Sequence, residues 1–327
     1  MLNIDPPATA GGTDLAGNAL ATRRFLSHIA YTVGTGKPIE ALSEKEALTT
    51  EAIELLRKNG LDQWREDERT IPEMCIASAT ETLRSASLRS GDVRTMVLAS
   101  SNSDALVSDD DETNLFAALH AAGFERARIL GLTLQSCSAS GEALTLASDI
   151  ASGGSNEVLV IVFAQRKKMS RLGPQGNLIF SDGAVSCLVS TKPGDVEICA
   201  TESVTNTHLG SLGRTGNMLQ FQGGIRELAE VSKGVLDKSG VKATDVRAFF
   251  GTNAGVNHLK LMAQAARVPL NRVFYDDVPR NGHLHSCDGL ISLKNYSMQH
   301  ELTSGDLFML LSWSPHVFCA SLLRFVN

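Results

Sequence analysis

A chain of 327 residues holds one large domain or two fused halves, and its 43% hydrophobic and 20% charged residues are those of an ordinary globular protein. The net charge of -6 without a long basic stripe argues against nucleic acid as a partner. No apolar run approaches a membrane span, and the first seven residues lack a basic-then-apolar leader pattern, so neither membrane association nor export is expected.

The six cysteines (Cys75, Cys137, Cys187, Cys199, Cys287, Cys319) are scattered without a paired spacing. That pattern argues for a reducing cytoplasm and against disulfides or a zinc knuckle, and no metal is expected.

Residues 1–22 are rich in Gly, Ala, Thr and Pro, lack periodicity, and read as a flexible arm. Residues 24–33 predict the first strand, while 41–70 are charged and partly helical without an assignable role. An amphipathic helix follows over 71–88, with Ile76, Ala79, Leu83 and Ala86 on one face. A buried strand is predicted over 93–100, an acidic loop over 108–112 and a helix over 114–122.

A short apolar strand from Gly131 then breaks at a small-residue turn carrying Cys137, and a helix follows. Its face is marked by Ala143, Leu144, Leu146, Ala147 and Ile150, and Gly153 and Gly154 stop it. A cysteine where a strand ends and a helix begins meets unpaired N–H groups and the positive end of the dipole. This environment stabilises a thiolate and binds an oxyanion. Two roles fit Cys137, an activated nucleophile or an inert buried thiol.

Strands over 157–163 and 184–189 complete the first series of elements, and the order then repeats. Strands are predicted over 196–204, 246–251 and 272–277, alternating with helices over 224–238, 257–266 and 285–298. Strands over 307–311 and 317–325 close the chain. Near-continuous apolar strands alternating with helices predict an α/β fold with sheets covered on both faces, duplicated at the level of elements. In the duplicated register the Cys137 turn corresponds to the segment from Asn281 to His285. Related turns of two pseudo-symmetric sheets converge, which brings His283 towards Cys137.

These landmarks carry a resemblance. The Cys137 strand-turn-helix, the segment from Phe180 through Ser181, Asp182 and Gly183 into an apolar strand, and the closing run from Ala320 to Phe325 occur in order over the chain. Together they resemble the thiolase superfamily, specifically ketoacyl-(acyl carrier protein) synthase III, from about Arg24 to Phe325. The resemblance implies a thiolase fold, five-layered αβαβα, built from an N-terminal half (23–192) with the cysteine and a C-terminal half (193–327) with the histidine. It also implies a homodimer.

The departures from the family pattern matter most. Condensing members use Cys, a His in a His-Gln-Ala-Asn motif and an Asn after Gly. Here the family histidine falls on Asn253 or Ala254, and the Asn position falls on His283 in Gly282-His283. This is similar to a subgroup of acyltransferases in which Cys, a Gly-His and an Asp five residues later form a triad, here Cys137, His283 and Asp288. A thiolate accepts the acyl group, the imidazole takes the proton and the carboxylate orients it. Decarboxylative condensation instead needs two donors on a thioester oxygen, an arrangement this substitution weakens.

The leading expectation is therefore acyl transfer from acyl-CoA or acyl carrier protein, with no permanently bound cofactor, to a small-molecule or carrier-bound hydroxyl or amine, in polyketide or related metabolism. Condensation of the synthase III type and a non-catalytic partner subunit are the alternatives. A regular helix would turn Asp288 away from His283, so their contact requires a turn before the helix.

The resemblance further implies an oxyanion hole from the N–H groups of Cys137 and Ser314. Asn253, Asn257, His285 and His316 are candidates for the acceptor side, with His285 able to exchange roles with His283. Arg166, Lys167, Lys168, Arg171 and Arg214 are candidates to meet coenzyme A phosphates or an acidic carrier protein. Residues 103–111 occupy the place where relatives cover the acyl pocket. His258, beside Lys260, is expected on the exposed side of its helix.

Overall fold

A computed structural model describes residues 22–46, 48–101, 109–154, 157–166, 169–173, 176–212 and 218–326. The arm over 1–21, most of the 103–111 cover, and Lys167, Lys168 and Arg214 lie outside the described residues.

The chain opens with β1 (Phe25–Val33), β2 (Thr35–Pro38), α1 (Ser43–Glu46), α2 (Thr50–Lys58) and β3 (Gln63–Glu66). It continues through α3 (Ile71–Ser85), β4 (Thr95–Ser100), α4 (Asp109–Ala121), β5 (Arg128–Leu132), α5 (Ala139–Ser152), β6 (Glu157–Ala164) and β7 (Gly183–Ser190). The second half holds β8 (Val196–Thr205), α6 (Thr207–Ser211), α7 (Met218–Ser239), β9 (Val246–Phe250) and α8 (Val256–Ala265). It ends with α9 (Val278–Asn281), α10 (Asp288–Gln299), β10 (Leu307–Trp313) and β11 (Val317–Phe325).

Nine strands form one mixed sheet in the order β5-β4-β6-β7-β1-β8-β11-β10-β9. Its two halves meet where β1 pairs with β8, through Phe25 with Glu197 and Leu26 with Val196. β2 and β3 make a separate antiparallel pair.

Alternation along the strands sorts the core into layers. Val158, Val160 and Val162 of β6 join Ala143, Leu144 and Ala147 of α5, whereas Leu159, Ile161 and Phe163 face Met74, Cys75, Ala79 and Leu83 of α3. Helix α3 starts sharply because the Thr70 hydroxyl accepts from the Glu73 N–H while the Glu73 carboxylate takes the Thr70 N–H.

Helix α5 packs on β4, β6 and β7 of one half and on β8, β10 and β11 of the other, and α10 bridges β1 with β9 and β10. Helices α3 and α4 cover one outer face, and α7 and α8 cover the opposite one. The approach of α5 to β11 is close: a Cβ on Gly141 would lie 2.5 Å from the Cys319 Cβ. Among the described residues no helix is long and apolar enough to cross a membrane.

Two expectations are corrected. The acidic residues after 108 are not a loop but open α4. The strand expected over 272–277 reduces to a single bridge between Val273 and Phe249. The chain is drawn out of the ladder by Asp277, which is buried and accepts from Ser292 (2.9 Å) and Asn295 (2.8 Å) of α10.

Candidate active site

Cys137 sits in a single 3₁₀ turn, Ser136–Ser138, between β5 and α5. Leu134 and Ser136 take left-handed φ values of 66° and 49° to make the bend. The Ser138 hydroxyl anchors the turn to the second half by donating to the Val317 carbonyl at 2.8 Å.

His283 arrives from the other half. Gly282 before it has φ 56° and ψ -147°, a backbone state essentially reserved for glycine. The His283 N–H donates to the Ile179 carbonyl (2.8 Å) and its carbonyl accepts from Ser181 (2.9 Å), pinning it beside Phe180. A 3₁₀ turn, His285–Cys287, then delays α10, so Asp288 is that helix's first residue. This is the turn that contact between Asp288 and His283 requires.

The Cys137 Sγ lies 3.2 Å from His283 Nε2, and His283 Nδ1 lies 2.6 Å from Asp288 Oδ2. Asp288 is itself held: Oδ2 also accepts the Asn253 N–H (2.7 Å), and Oδ1 accepts the Leu284 N–H (2.8 Å). His283 and Asp288 are buried, while Cys137 stays partly exposed.

Burial pushes the Cys137 thiol up, but the charge and hydrogen bond of His283 and the Ser136 hydroxyl outweigh it, and the net shift is downward. Burial alone would lower His283, yet Asp288 and Cys137 raise it to about 10. Both shifts run in the direction that favours a thiolate against an imidazolium. The other five cysteines, Cys75, Cys187, Cys199, Cys287 and Cys319, are all raised, chiefly by burial.

Alkylation by iodoacetamide should accordingly modify Cys137 first, with a pH inflection below the ordinary thiol value of about 8.5. In His283→Ala only the Ser136 hydroxyl still opposes burial and the Asp288 charge, so the inflection should move upward. Equal inflections in the two proteins, measured by quenched mass spectrometry, would refute the ion pair.

The remaining candidates divide. Asn253 is buried with its N–H on Asp288, and one ring nitrogen each of His285 and His283 and the Cys137 Sγ lie within 4.8 Å of one another. His316 Nε2 meets the Leu134 carbonyl at 3.0 Å, tying the turn after β10 to the segment before Cys137. Asn257, by contrast, is exposed, and its N–H donates to Asn59 Oδ1, away from the triad.

Ser314 does not present its N–H to an oxyanion. That N–H is spent within the β10–β11 turn on the Val317 carbonyl at 3.0 Å. Arg166 and Arg171 are not surface docking cations either. Arg171 is fully buried and makes a bidentate pair with Asp182 (2.5 and 2.7 Å), and the Arg166 guanidinium stacks 3.6 Å from the Phe180 ring centroid.

His258 is not on the exposed side of its helix, as expected, but half-buried. Its ring stacks on Trp313 at 4.8 Å, Phe221 lies 6.0 Å beyond, and burial with the nearby charge of His283 lowers it to about 4. The available signal was its place four residues before the buried Met262, at the border of the helix's inner face.

Comparison with known proteins follows the same lines. Residues 236–323 match the family model described as 3-oxoacyl-[acyl-carrier-protein (ACP)] synthase III C terminal. The beta-ketoacyl-[acyl-carrier-protein] synthase III of Cereibacter sphaeroides (strain ATCC 17025 / ATH 2.4.3) is 25% identical over 292 residues, covering 82% of this chain and 88% of the relative. That of Aquifex aeolicus (strain VF5) is 25% identical over 254 residues, covering 74% and 80%.

Among solved structures, the acyltransferase ChlB3 matches with a TM-score of 0.80 at 17% identity, over 93% of this chain and 98% of that one. The 3-oxoacyl-[acyl-carrier-protein] synthase III from Aquifex aeolicus VF5 matches with a TM-score of 0.74 at 23% identity, over 92% and 100%.

Proposed function

We propose that this chain, a ketoacyl synthase III-like protein of the thiolase superfamily, is an acyltransferase that carries an acyl group on Cys137 and passes it to a hydroxyl or amine. The observation that supports this reading is the unbroken relay from Cys137 Sγ through His283 to Asp288. It replaces the pair of neutral donors that decarboxylative condensation needs, since Asn253 and Ala254 stand at the family histidine's place.

The Cys137 thiolate attacks the carbonyl of acyl-CoA or an acyl carrier protein, and the departing thiolate takes the proton held by His283. Oxyanion charge forms at the positive end of α5, two residues before Ala139. Once Sγ is acylated, His283 has lost its anionic neighbour and its base strength rests on Asp288 alone. Neutral His283 then deprotonates the incoming hydroxyl or amine, whose attack expels the sulfur and regenerates the ion pair. A reducing compartment suits a protein that depends on a free thiol, and we extend the reading to a homodimer as in the family.

The test is intact-protein mass spectrometry after incubation with panels of acyl-CoA and acyl-carrier-protein donors, on wild type, Cys137→Ala and His283→Ala. A mass gain lost in Cys137→Ala identifies the acyl-enzyme and its donor. Discharge by alcohols or amines in wild type but not in His283→Ala supports acyl transfer. Discharge only by a malonyl thioester would replace the reading with condensation, and no loading by any donor would replace it with a partner subunit.

A further inference from the structure

We propose that Cys137, His283 and His285 together form a zinc site that captures Zn²⁺ in the unacylated protein and blocks loading. One ligand atom from each lies within 4.8 Å of the other two, and Sγ is already 3.2 Å from His283 Nε2. Around a tetrahedral zinc with Zn–S of about 2.3 Å and Zn–N of about 2.05 Å, ligand atoms sit roughly 3.4–3.6 Å apart. Capture therefore asks for a movement on the order of 1 Å.

The surroundings support that donor set. The second nitrogen of His283 rests on Asp288 at 2.6 Å, the carboxylate–histidine arrangement that orients metal-bound imidazoles. His285 is buried with a left-handed φ of 56°, and its ring lies against Phe180 at 4.5 Å and 13°. Phe180 in turn carries the Arg166 guanidinium, so the plane of the third ligand is fixed by packing. One thiolate and two imidazoles suit Zn²⁺ and not Mg²⁺ or Ca²⁺, which prefer oxygen. From sequence the site is invisible, because its members come from positions 137, 283 and 285 and match no ligand spacing.

On binding, one Sγ–Zn and two N–Zn bonds replace water ligands of the hydrated ion, a water keeps the fourth position, the proton shared by Sγ and His283 Nε2 leaves to buffer, and nothing is oxidised or reduced. A zinc-bound sulfur is no longer free to attack, and a thioester sulfur is no longer a thiolate ligand, so zinc and the acyl group exclude each other. Zinc is thus a reversible inhibitor competitive with the acyl donor.

The full-length protein would be titrated with Co²⁺ as a spectroscopic probe and then with Zn²⁺. One equivalent of Co²⁺ should give a thiolate-to-cobalt charge-transfer band with tetrahedral visible bands, removed by Zn²⁺ and absent in Cys137→Ser. His285→Ala, checked for folding by circular dichroism, should bind zinc roughly 100-fold more weakly, given that even outer partners are worth 10–100-fold. No charge-transfer band in the wild type, or undiminished zinc affinity in His285→Ala, would overturn the site. Loss of zinc binding with acyl loading intact rejects this inference alone; zinc binding without any acyl loading rejects the proposed function alone.

Discussion

Asp288→Asn should slow acyl transfer from the Cys137 thioester by about 10⁴-fold, the loss seen when the aspartate of a serine-protease triad becomes asparagine. Asp288 accepts three hydrogen bonds, from His283 Nδ1, the Asn253 N–H and the Leu284 N–H. An amide in that place has only one oxygen to offer them. Its NH₂ group faces either the Leu284 N–H, leaving a buried clash, or, in the place of Oδ2, both the Asn253 N–H and His283 Nδ1, which must then be unprotonated. The second arrangement puts the imidazole proton on Nε2, facing the sulfur, where His283 is unable to accept a proton from the acceptor. Single-turnover discharge of preloaded protein, followed by quenched mass spectrometry, reads this directly, with a thermal melt as the folding control. Discharge within tenfold of wild type would remove Asp288 from the relay.

The second large effect is on stability. Arg171→Leu should destabilise the protein by about 3–5 kcal/mol, because it strands a carboxylate in the interior. Arg171 and Asp182 are both fully buried, and Asp182 also accepts the N–H groups of Arg166 (2.8 Å) and Asp67 (3.1 Å). Those two amides satisfy lone pairs but bring no counter-charge. The double variant Arg171→Leu/Asp182→Asn should recover part of the loss, since no unpaired charge remains while the amide NH₂ faces one of the two backbone N–H groups. Urea midpoints on the three proteins test this. A loss below about 1 kcal/mol in Arg171→Leu, or none recovered in the double variant, would contradict it. The same knot lies next to Ser181 and Ile179, which hold the His283 backbone, so Arg171→Leu should also lower acyl loading at temperatures below unfolding.

What the sequence makes legible follows from what periodicity senses. The apolar strands of both halves stand out because burial on both faces leaves them without polar interruptions, and β6 is found within one residue of its ends. Cys137, His283 and Asp288 are readable as residue types in motif context, and the 3₁₀ turn over 285–287 supplies the geometry that a five-residue spacing on a regular helix denies. The segment over 272–277 looks like a strand because alternation is blind to the one side chain, Asp277, that pulls it towards α10.

Basic clusters mislead for a related reason. Arg166 and Arg171 read as a solvated patch until Asp182, eleven residues beyond Arg171, folds back to neutralise one of them. Ser314 shows the limit of positional correspondence: a residue keeps its N–H whatever its side chain, but only the turn decides where that N–H points.

The split of the relay between the two halves of the chain has a consequence for the protein's birth. Cys137 leaves the ribosome well before His283 and Asp288, which belong to the last fifth of the chain. Until that C-terminal portion docks, the thiol has no imidazolium beside it and titrates like any other, near pH 8.5. Its nucleophilicity is therefore a property acquired at the end of synthesis. A nascent or truncated chain carries the cysteine without its activation, and meets electrophiles and stray thioesters only as an ordinary thiol does.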